Sequence, residues 1–468
     1  MEVLQRTANR GSVSTGPYDI DNSLKMESNN SESMTRTPSS SGNRKTWTLS
    51  FWFKRTELGA AVRLFEAWDG STGTSALFTD ADLFILDLTA GGNYFTSDAK
   101  FRDCSAWYHF VIRVDTTQGT ASERARVYVN GLELTGSWNS NIGQNTDLTW
   151  NQDVVHYLGV FHNSGNFANG YYAEVINVDG QSLAPTSFGE FDEDSGIWKP
   201  KNANGGGTNG FKLEFKSSGS LGADTSGNGH TWTLNNIAAI DQATDTPTNN
   251  FCIINPLITD ATALWSLSEG GTRGPNVNAN SGAIGNIAVD SGKWYWEGVT
   301  TSFSGTNYWK WGVIRADFQQ GQSASPSRDA NSAWYTGDNA FYTQTSPSAS
   351  SVAYNIGFTG YTAGDIWSIS LNCDVSPYEM TIRINNSVPG TTSNNTDRSV
   401  GAYASAHAVH PFTMIAANSS DNTWHNFGNP FIAALSGGNS DANGYGDFKY
   451  APPSGYYALC TKNLAEYG

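Results

Sequence analysis

The sequence predicts an all-β protein built from two β-sandwiches with extended terminal arms. Three observations predict it. The 468 residues include 49 Gly, and Asn, Ser and Thr are abundant, so the chain is rich in residues that supply positive φ or short side-chain hydrogen bonds at turns. Short runs that alternate apolar and polar residues recur along most of the chain, which is the two-residue period of a half-buried strand. Between these runs there is no helical periodicity of about 10–15 residues, which argues against βαβ units and excludes a helical bundle.

Taken in order, residues 1–22 are polar and patternless up to Pro17-Tyr18-Asp19-Ile20-Asp21, an arm that needs another surface to become ordered. At 46–55, Trp47, Leu49 and Phe51 alternate with polar residues before the run turns apolar on both faces, as expected of a central strand. Strand signals follow at 83–88, 107–115 and 126–134, the last holding Asn130-Gly131, a pair suited to a tight hairpin. Further signals at 154–160 and 170–178 complete the series. The stretch 192–207 contains Trp198-Lys199-Pro200-Lys201 and Asn204-Gly205-Gly206-Gly207, a long connection. Alternation returns at 211–215. Asp224-Thr225-Ser226-Gly227-Asn228-Gly229-His230 then leads into a strand at 231–234, and Asp245 to Phe251 reads as a connector.

A second β-rich block carries strand signals at 292–297, 309–314, 351–358, 365–373 and 379–385. The last two form a hairpin around Asp374, Ser376 and Pro377. The expected organisation is an arm (1–22), a first sandwich with a C-terminal extension (23–240), a linker (241–256), a second sandwich (257–435) and a C-terminal extension (436–468) that packs onto a body.

With 27 Lys+Arg against 43 Asp+Glu the net charge is −16, so duplex nucleic acid is not an expected partner. The first 25 residues hold no apolar run of the signal-peptide kind, and no stretch is long and apolar enough for membrane insertion. Cys104, Cys252, Cys373 and Cys460 lie far apart without a CxxC pair, and are expected as reduced core thiols. No cofactor or metal is assigned. There is no P-loop and no Gly-x-Ser-x-Gly elbow, and the pairs His156/His162 and His407/His410 have no third ligand at a recurring spacing. Asp69, and Asp80 with Asp82, sit in rim-type loops where hard cations find oxygen ligands, but loop aspartates more often cap turns.

The informative pattern is aromatic residues beside Asn, Gly and Ser. Trp138-Asn139, Trp150, Phe161-His162-Asn163, Tyr308-Trp309 and Trp334-Tyr335 are the candidate binding residues. Sugars offer apolar C–H faces and a rim of hydroxyls, and rigid aromatics add contact area on protein surfaces at small entropic cost. The competing reading is that each ring covers an edge of its own sandwich.

The segments at Trp47 to Arg55, Trp107 to Asp115, Val127 to Gly131 and Tyr171 to Val175 resemble, in order and spacing, a concanavalin A-like jelly roll of the laminin-G type. Ser187-Phe188-Gly189-Glu190, Gly196 to Lys201, Ser226 to Gly229 and Asp245 to Leu257 resemble the version of that domain in structural proteins of tailed bacteriophages. Gly292 to Glu297, Gly364 to Leu371 and Asn426-Phe427-Gly428-Asn429-Pro430-Phe431 resemble a SPRY domain, its closing landmark one residue shorter than usual. Phe448 to Leu464 resembles segments that follow SPRY-like domains in phage virion proteins.

The resemblance implies a virion protein assembled in the host cytoplasm and carried on the tail or particle surface. It would be a tail-fibre or appendage adhesin for a host-surface glycan or protein, contacting other virion proteins and itself, as a homo-oligomer that is trimeric by analogy. The alternatives are an architectural capsid fibre, decoration or tail-connector protein, and a polysaccharide depolymerase. Retaining glucanases of the superfamily set three carboxylates on one strand. The nearest match, Glu190-Phe191-Asp192-Glu193-Asp194-Ser195, lacks the third and reads as a solvated acidic loop, so no catalytic residue is assigned and an enzyme is not expected.

Overall fold

The computed structural model describes residues 18–162, 164–257, 267–275, 281–302, 309–317, 332–336, 340–343, 352–355, 361–389, 398–400, 407–415 and 422–468. These fall into two units, one ending at Asn249 and the other beginning at Asn250.

In the first unit one antiparallel sheet runs, edge to edge, through Leu132–Glu133, Ala125–Val129, Trp107–Asp115, Thr46–Arg55, Gly170–Asp179, Ser23–Met26 and Gln242–Ala243, with Phe211–Leu213 also on Gly170–Asp179. The facing sheet runs through Gly136–Trp138, Tyr94–Lys100, Leu83–Asp87, Gly73–Phe78, Val62–Trp68, Val155–Leu158, Ser33–Arg36 and Thr233–Asn235. Alternation explains the layering. Trp47, Leu49, Phe51 and Phe53 point into the core between the sheets, where Phe110 stacks on Phe51 at 5.5 Å and on Phe84 at 4.8 Å. Asn130 and Gly131 both take positive φ, 48° and 81°, closing the hairpin the sequence predicts. Glycine is also required at 131 by close approach, because a Cβ there would lie 2.4 Å from the Trp198 ring.

The outer face of the first sheet is covered by residues of 180–203. Phe188 packs with Val111, Tyr128, Ile176 and Val178, and the Trp198 indole N–H donates to His109 Nδ1 at 2.9 Å. That covering buries Thr46–Arg55 on both faces.

Residues 18–22 pack on their own unit. The Tyr18 hydroxyl meets Glu174 and Lys212, and the backbone of Ile20 bonds Thr248 Oγ1 in both directions. The stretch read as a linker is not an exposed tether, because Gln242–Ala243 is an edge strand, and the fully buried Asp245 holds Lys54 Nζ at 2.7 Å and the Trp107 indole at 3.0 Å.

The second unit has one sheet of Arg273–Pro275, Asn422–Asn426, Lys293–Ser302, Ile366–Asn372, Glu379–Ile384 and Arg398–Ser399. The other comprises Ser281–Ile284, Val409–Ile415, Trp309–Arg315, Ser332–Thr336, Ala340–Thr343 and Val352–Asn355. The predicted hairpin is present, Asn372 facing Glu379. Trp311 lies 5.5 Å from Trp367 and 4.9 Å from Tyr361 in the core. The C-terminal segment belongs to this unit. Tyr457–Ala458 pairs with Lys293–Ser302, and the buried Glu297 carboxylate accepts the backbone N–H groups of Lys449 and Tyr450 at 2.8 and 2.9 Å. The chain ends in the α-helix Thr461–Tyr467.

Candidate functional site

The site-forming element is the strand Val62–Trp68. Its pairing with Gly73–Phe78 slips between Arg63 and Phe65, so Leu64 is an extra residue and both Leu64 and Phe65 face the core. A bulge of this kind re-aims the residues on either side. Arg63 and Glu66, three apart, consequently share the outer face, which strict alternation would forbid.

Glu66 stands in the middle of a transverse row. Reading across paired positions, Tyr94, Asp87, Ser75, Glu66, Tyr157, Thr35 and Thr233 line up on seven neighbouring strands. Their chain neighbours Phe95, Leu86, Ala76, Phe65, Leu158, Met34 and Trp232 are core residues, so the row points away from the core. Six inter-strand spacings of about 4.8 Å make it about 29 Å long.

The loop after Val155–Leu158 folds over the middle of this row, closed by Phe161 N–H to Gly165 O at 2.9 Å. The His162 ring lies between those of Trp68 and Phe161, with centroids 3.9 and 3.7 Å away. Its backbone N–H donates to Glu66 Oε2 at 2.8 Å, and its Nδ1 is 2.8 Å from the same oxygen. Arg63 donates from Nη1 to Ser75 Oγ at 2.6 Å, and its guanidinium sits 4.4 Å over the Phe161 ring. Among the described residues the buried Nε of Arg63 has no hydrogen-bond partner.

The loop leaves Glu66 only 2% exposed. Burial raises its carboxyl to about 7, against the pull of Arg63. Burial, helped by Arg63, holds the His162 imidazole below its ordinary value. The arrangement leaves Trp68 and Phe161 half-buried at the surface, above a buried guanidinium nitrogen without a partner and a carboxyl that changes charge near neutrality.

Of the residues singled out from sequence, the structure brings Phe161 and His162 into this constellation. Trp150 is a correction. It is wholly buried, in edge contact with Phe65 at 4.9 Å, and its indole donates to Asn177 Oδ1 at 2.9 Å. Asn177 in turn bonds Asn151 and Asn209, so the amides beside Trp150 satisfy one another inside the unit. Trp334 and Tyr335 are corrections as well. Trp334 is 3% exposed and stacks on Tyr342 at 5.5 Å, while Tyr335, 1% exposed, donates to Met380 O at 2.8 Å in the core.

Trp138 covers its own sandwich edge, 5.6 Å from Phe95. Asn139 accepts from Tyr94 N–H at 2.7 Å and donates to Gly92 O at 3.3 Å. Asn163 and Tyr308 lie outside the described residues, as does the side chain of Trp309. Sequence reasoning missed Arg63, Glu66, Trp68 and Tyr157. A signal existed in Arg63-Leu64-Phe65-Glu66-Ala67-Trp68, where two consecutive apolar residues interrupt an otherwise alternating strand.

The acidic loop and the rim aspartates have structural roles. Asp192 Oδ1 accepts Ser195 N–H at 2.9 Å and Oδ2 meets Lys199 Nζ at 3.1 Å, contacts that hold its carboxyl at about 2. Asp69 Oδ1 caps a turn through Ser71 and Thr72 N–H, each at 2.8 Å. Asp82 is held by Arg55 at 3.1 Å and Arg102 at 2.7 Å. His156 Nε2 accepts Asn151 N–H at 3.0 Å. Among the described residues no three His, Cys, Asp or Glu gather as metal ligands, and no helix is long and apolar enough to cross a membrane. All four cysteines are buried, and none forms a disulfide among the described residues.

Residues 29–179 match the laminin-G model of the concanavalin A-like lectin/glucanases superfamily. That segment, which contains the whole constellation, is a concanavalin A-like domain of the laminin-G type. No curated protein matches the chain in sequence. Solved structures with partial likeness include the SPRY domain of human HERC1, 14% identical, TM-score 0.27, covering 37% of this chain and 96% of that one. A putative carbohydrate binding protein from Bacteroides ovatus is 16% identical, TM-score 0.32, with 47% and 59% covered. Domains LG4-5 of the mouse laminin alpha1 chain are 9% identical, TM-score 0.29, with 86% and 84% covered. Likeness at this level says nothing about ligands.

Proposed function

We propose that the protein is a recognition protein without chemical turnover, an adhesin of the tail-fibre or surface-appendage kind on a tailed-phage virion, binding a host-surface glycan or protein. The observation that carries the reading is the constellation on the laminin-G-type domain. Half-buried Trp68 and Phe161 flank His162, and Arg63 keeps a buried donor unused. A pyranose would lay its C–H face on the exposed part of such a ring, with Arg63 and Glu66 buried beneath and fixing the rings. Attachment to a virion rests on the phage-type motifs around Trp198 and Gly227 and at the C-terminus. On a symmetric particle, repeated weak sites gain strength through effective concentration, which is why assembly with itself and with other virion proteins belongs to the proposal.

Glycan-array binding, with Trp68→Ala and Phe161→Ala as controls, tests it. Each change is expected to weaken binding by about tenfold, and no reducing ends should be released from bound polysaccharide. Equal binding by all three proteins, or release of reducing ends, refutes the reading.

An architectural role has one observation in its favour. Leu132 and Phe191, 65% and 45% exposed, stand on the hairpins around Trp198, and such tips suit contact with a virion neighbour. Imaging of the particle separates the two roles.

A further inference from the structure

Lys25, Glu32 and Asp241 meet inside the first unit. Lys25 lies on Ser23–Met26, Glu32 just precedes Ser33–Arg36, and Asp241 ends the turn Ala239–Asp241 that leads into Gln242–Ala243. Gln242–Ala243 pairs with Ser23–Met26, Leu24 facing Gln242, so Lys25 and Asp241 are the next opposed positions. All three side chains are withdrawn from solvent, with exposures of 0%, 1% and 3%. Lys25 Nζ is 2.8 Å from Asp241 Oδ1 and 3.4 Å from Glu32 Oε1.

The two carboxyls are held in place. Asp241 Oδ2 accepts Ala238 N–H at 2.7 Å, and Glu32 accepts Glu27 N–H at 2.7 Å and Asn30 Nδ2 at 2.9 Å. Burial pushes the Glu32 carboxyl up to about 7 although Lys25 pulls it down, so a proton is available there near neutrality.

We propose that Lys25 and Asp241 condense into an intramolecular amide, with Glu32 as the proton carrier. The ammonium first passes a proton to the Asp241 carboxylate. The amine lone pair of Nζ then forms a bond to Cγ. Glu32 delivers a proton to the departing hydroxyl, the C–O bond breaks, water leaves, and Glu32 recovers its proton from nitrogen. One ammonium and one carboxylate become one amide and one water, so no oxidant, nucleotide or other reagent is needed. Fixed geometry supplies the proximity, and the product removes two charges that are costly to bury. Lys54 and Asp245, as deeply buried and 2.7 Å apart, provide an internal comparison. There the second carboxylate oxygen meets the Trp107 indole, which cannot deliver a proton and take it back.

The bond would join the first strand of the unit to its last and carry a pulling load covalently. This holds whether or not the chain binds a glycan. Intact-mass measurement of the denatured full-length chain tests it. The expected mass is one water below the sequence mass, and a peptide map joins the Lys25 peptide to the Asp241 peptide. Lys25→Arg, Asp241→Ala and the near-isosteric Glu32→Gln are expected at full mass. A wild-type chain at full mass overturns the proposal, as does a water lost at Lys54–Asp245 instead. Condensation that persists in Glu32→Gln overturns the role of Glu32.

Discussion

The Trp198 indole can only donate, so His109 Nδ1 must accept it. Nε2 therefore carries the ring proton and gives it to Ser50 Oγ, 2.8 Å away. The pair has the look of a serine–histidine dyad with the polarity reversed, since a base that donates to the hydroxyl cannot activate it. Burial drives the imidazole down to about 3, and the ring stacks on Trp52 at 4.5 Å. The unit thus uses His109 as a rigid link between its sheet and the hairpin Gly189–Phe191/Trp198–Pro200. Trp198→Phe keeps the ring contact and strands Nδ1 without a donor in a buried site. The expected cost is about 2 kcal/mol, read as a lower urea midpoint for the first unit. An unchanged midpoint would mean that the indole bond contributes nothing net.

At the scale of single elements, the strand Val62–Trp68 separates what sequence conveys from what it hides. Strands such as Thr46–Arg55 and Trp107–Asp115 were legible because alternation and turn chemistry are local. The outer face that carries Arg63 and Glu66 was not. A one-residue bulge cancels the rule that places i and i+2 together, so Arg63 and Glu66 could not be read as neighbours. Nor does an aromatic beside an amide announce its side of the sheet. Trp150 carries the same local signature as Phe161, yet its fate was decided by Asn177 on a strand remote in sequence. Deleting Leu64 removes the bulge and leaves Arg63 and Glu66 two apart on an alternating strand, so they stay on one face. It also removes a fully buried leucine. The expected result is a loss of about 3 kcal/mol of stability with glycan binding kept, and Leu64→Ala should behave alike. Loss of binding in the deletion alone would show that the bulge sets the spacing of Arg63 and Glu66 and not only their shared face.

For the whole molecule, each unit buries ionisable groups whose shifts oppose one another, which fixes the pH at which it is most stable. His109 and His156 in the first unit, and His425 in the second, are pushed by burial to about 3, 4 and 4 from 6.5. An unfolded chain binds protons at these positions between the two values and the folded chain does not, so stability falls as the pH drops through 6.5. Glu66 and Glu297, one in each unit, are raised by burial from 4.5 to about 7. The folded chain now holds the extra proton, so their contribution is complete below 4.5 and is lost as the pH rises through 7. Below about 6.5 the imidazoles offset the carboxyls, and above it only the carboxyls act. Both units are therefore expected to hold their stability up to about pH 6.5 and to lose some of it as the pH rises through 7. Calorimetric melting across pH 5 to 8 measures this. Glu66→Gln should reduce the alkaline fall in the first unit alone, because the amide carries no charge to bury, and Glu32, also raised to about 7, accounts for the fall that remains. Glu297→Gln should do the same in the second, while still accepting a backbone N–H from the segment at Lys449 and Tyr450. Stability that keeps rising to pH 8 would contradict the raised carboxyls, and with them the charge change assigned to Glu66 in the binding face.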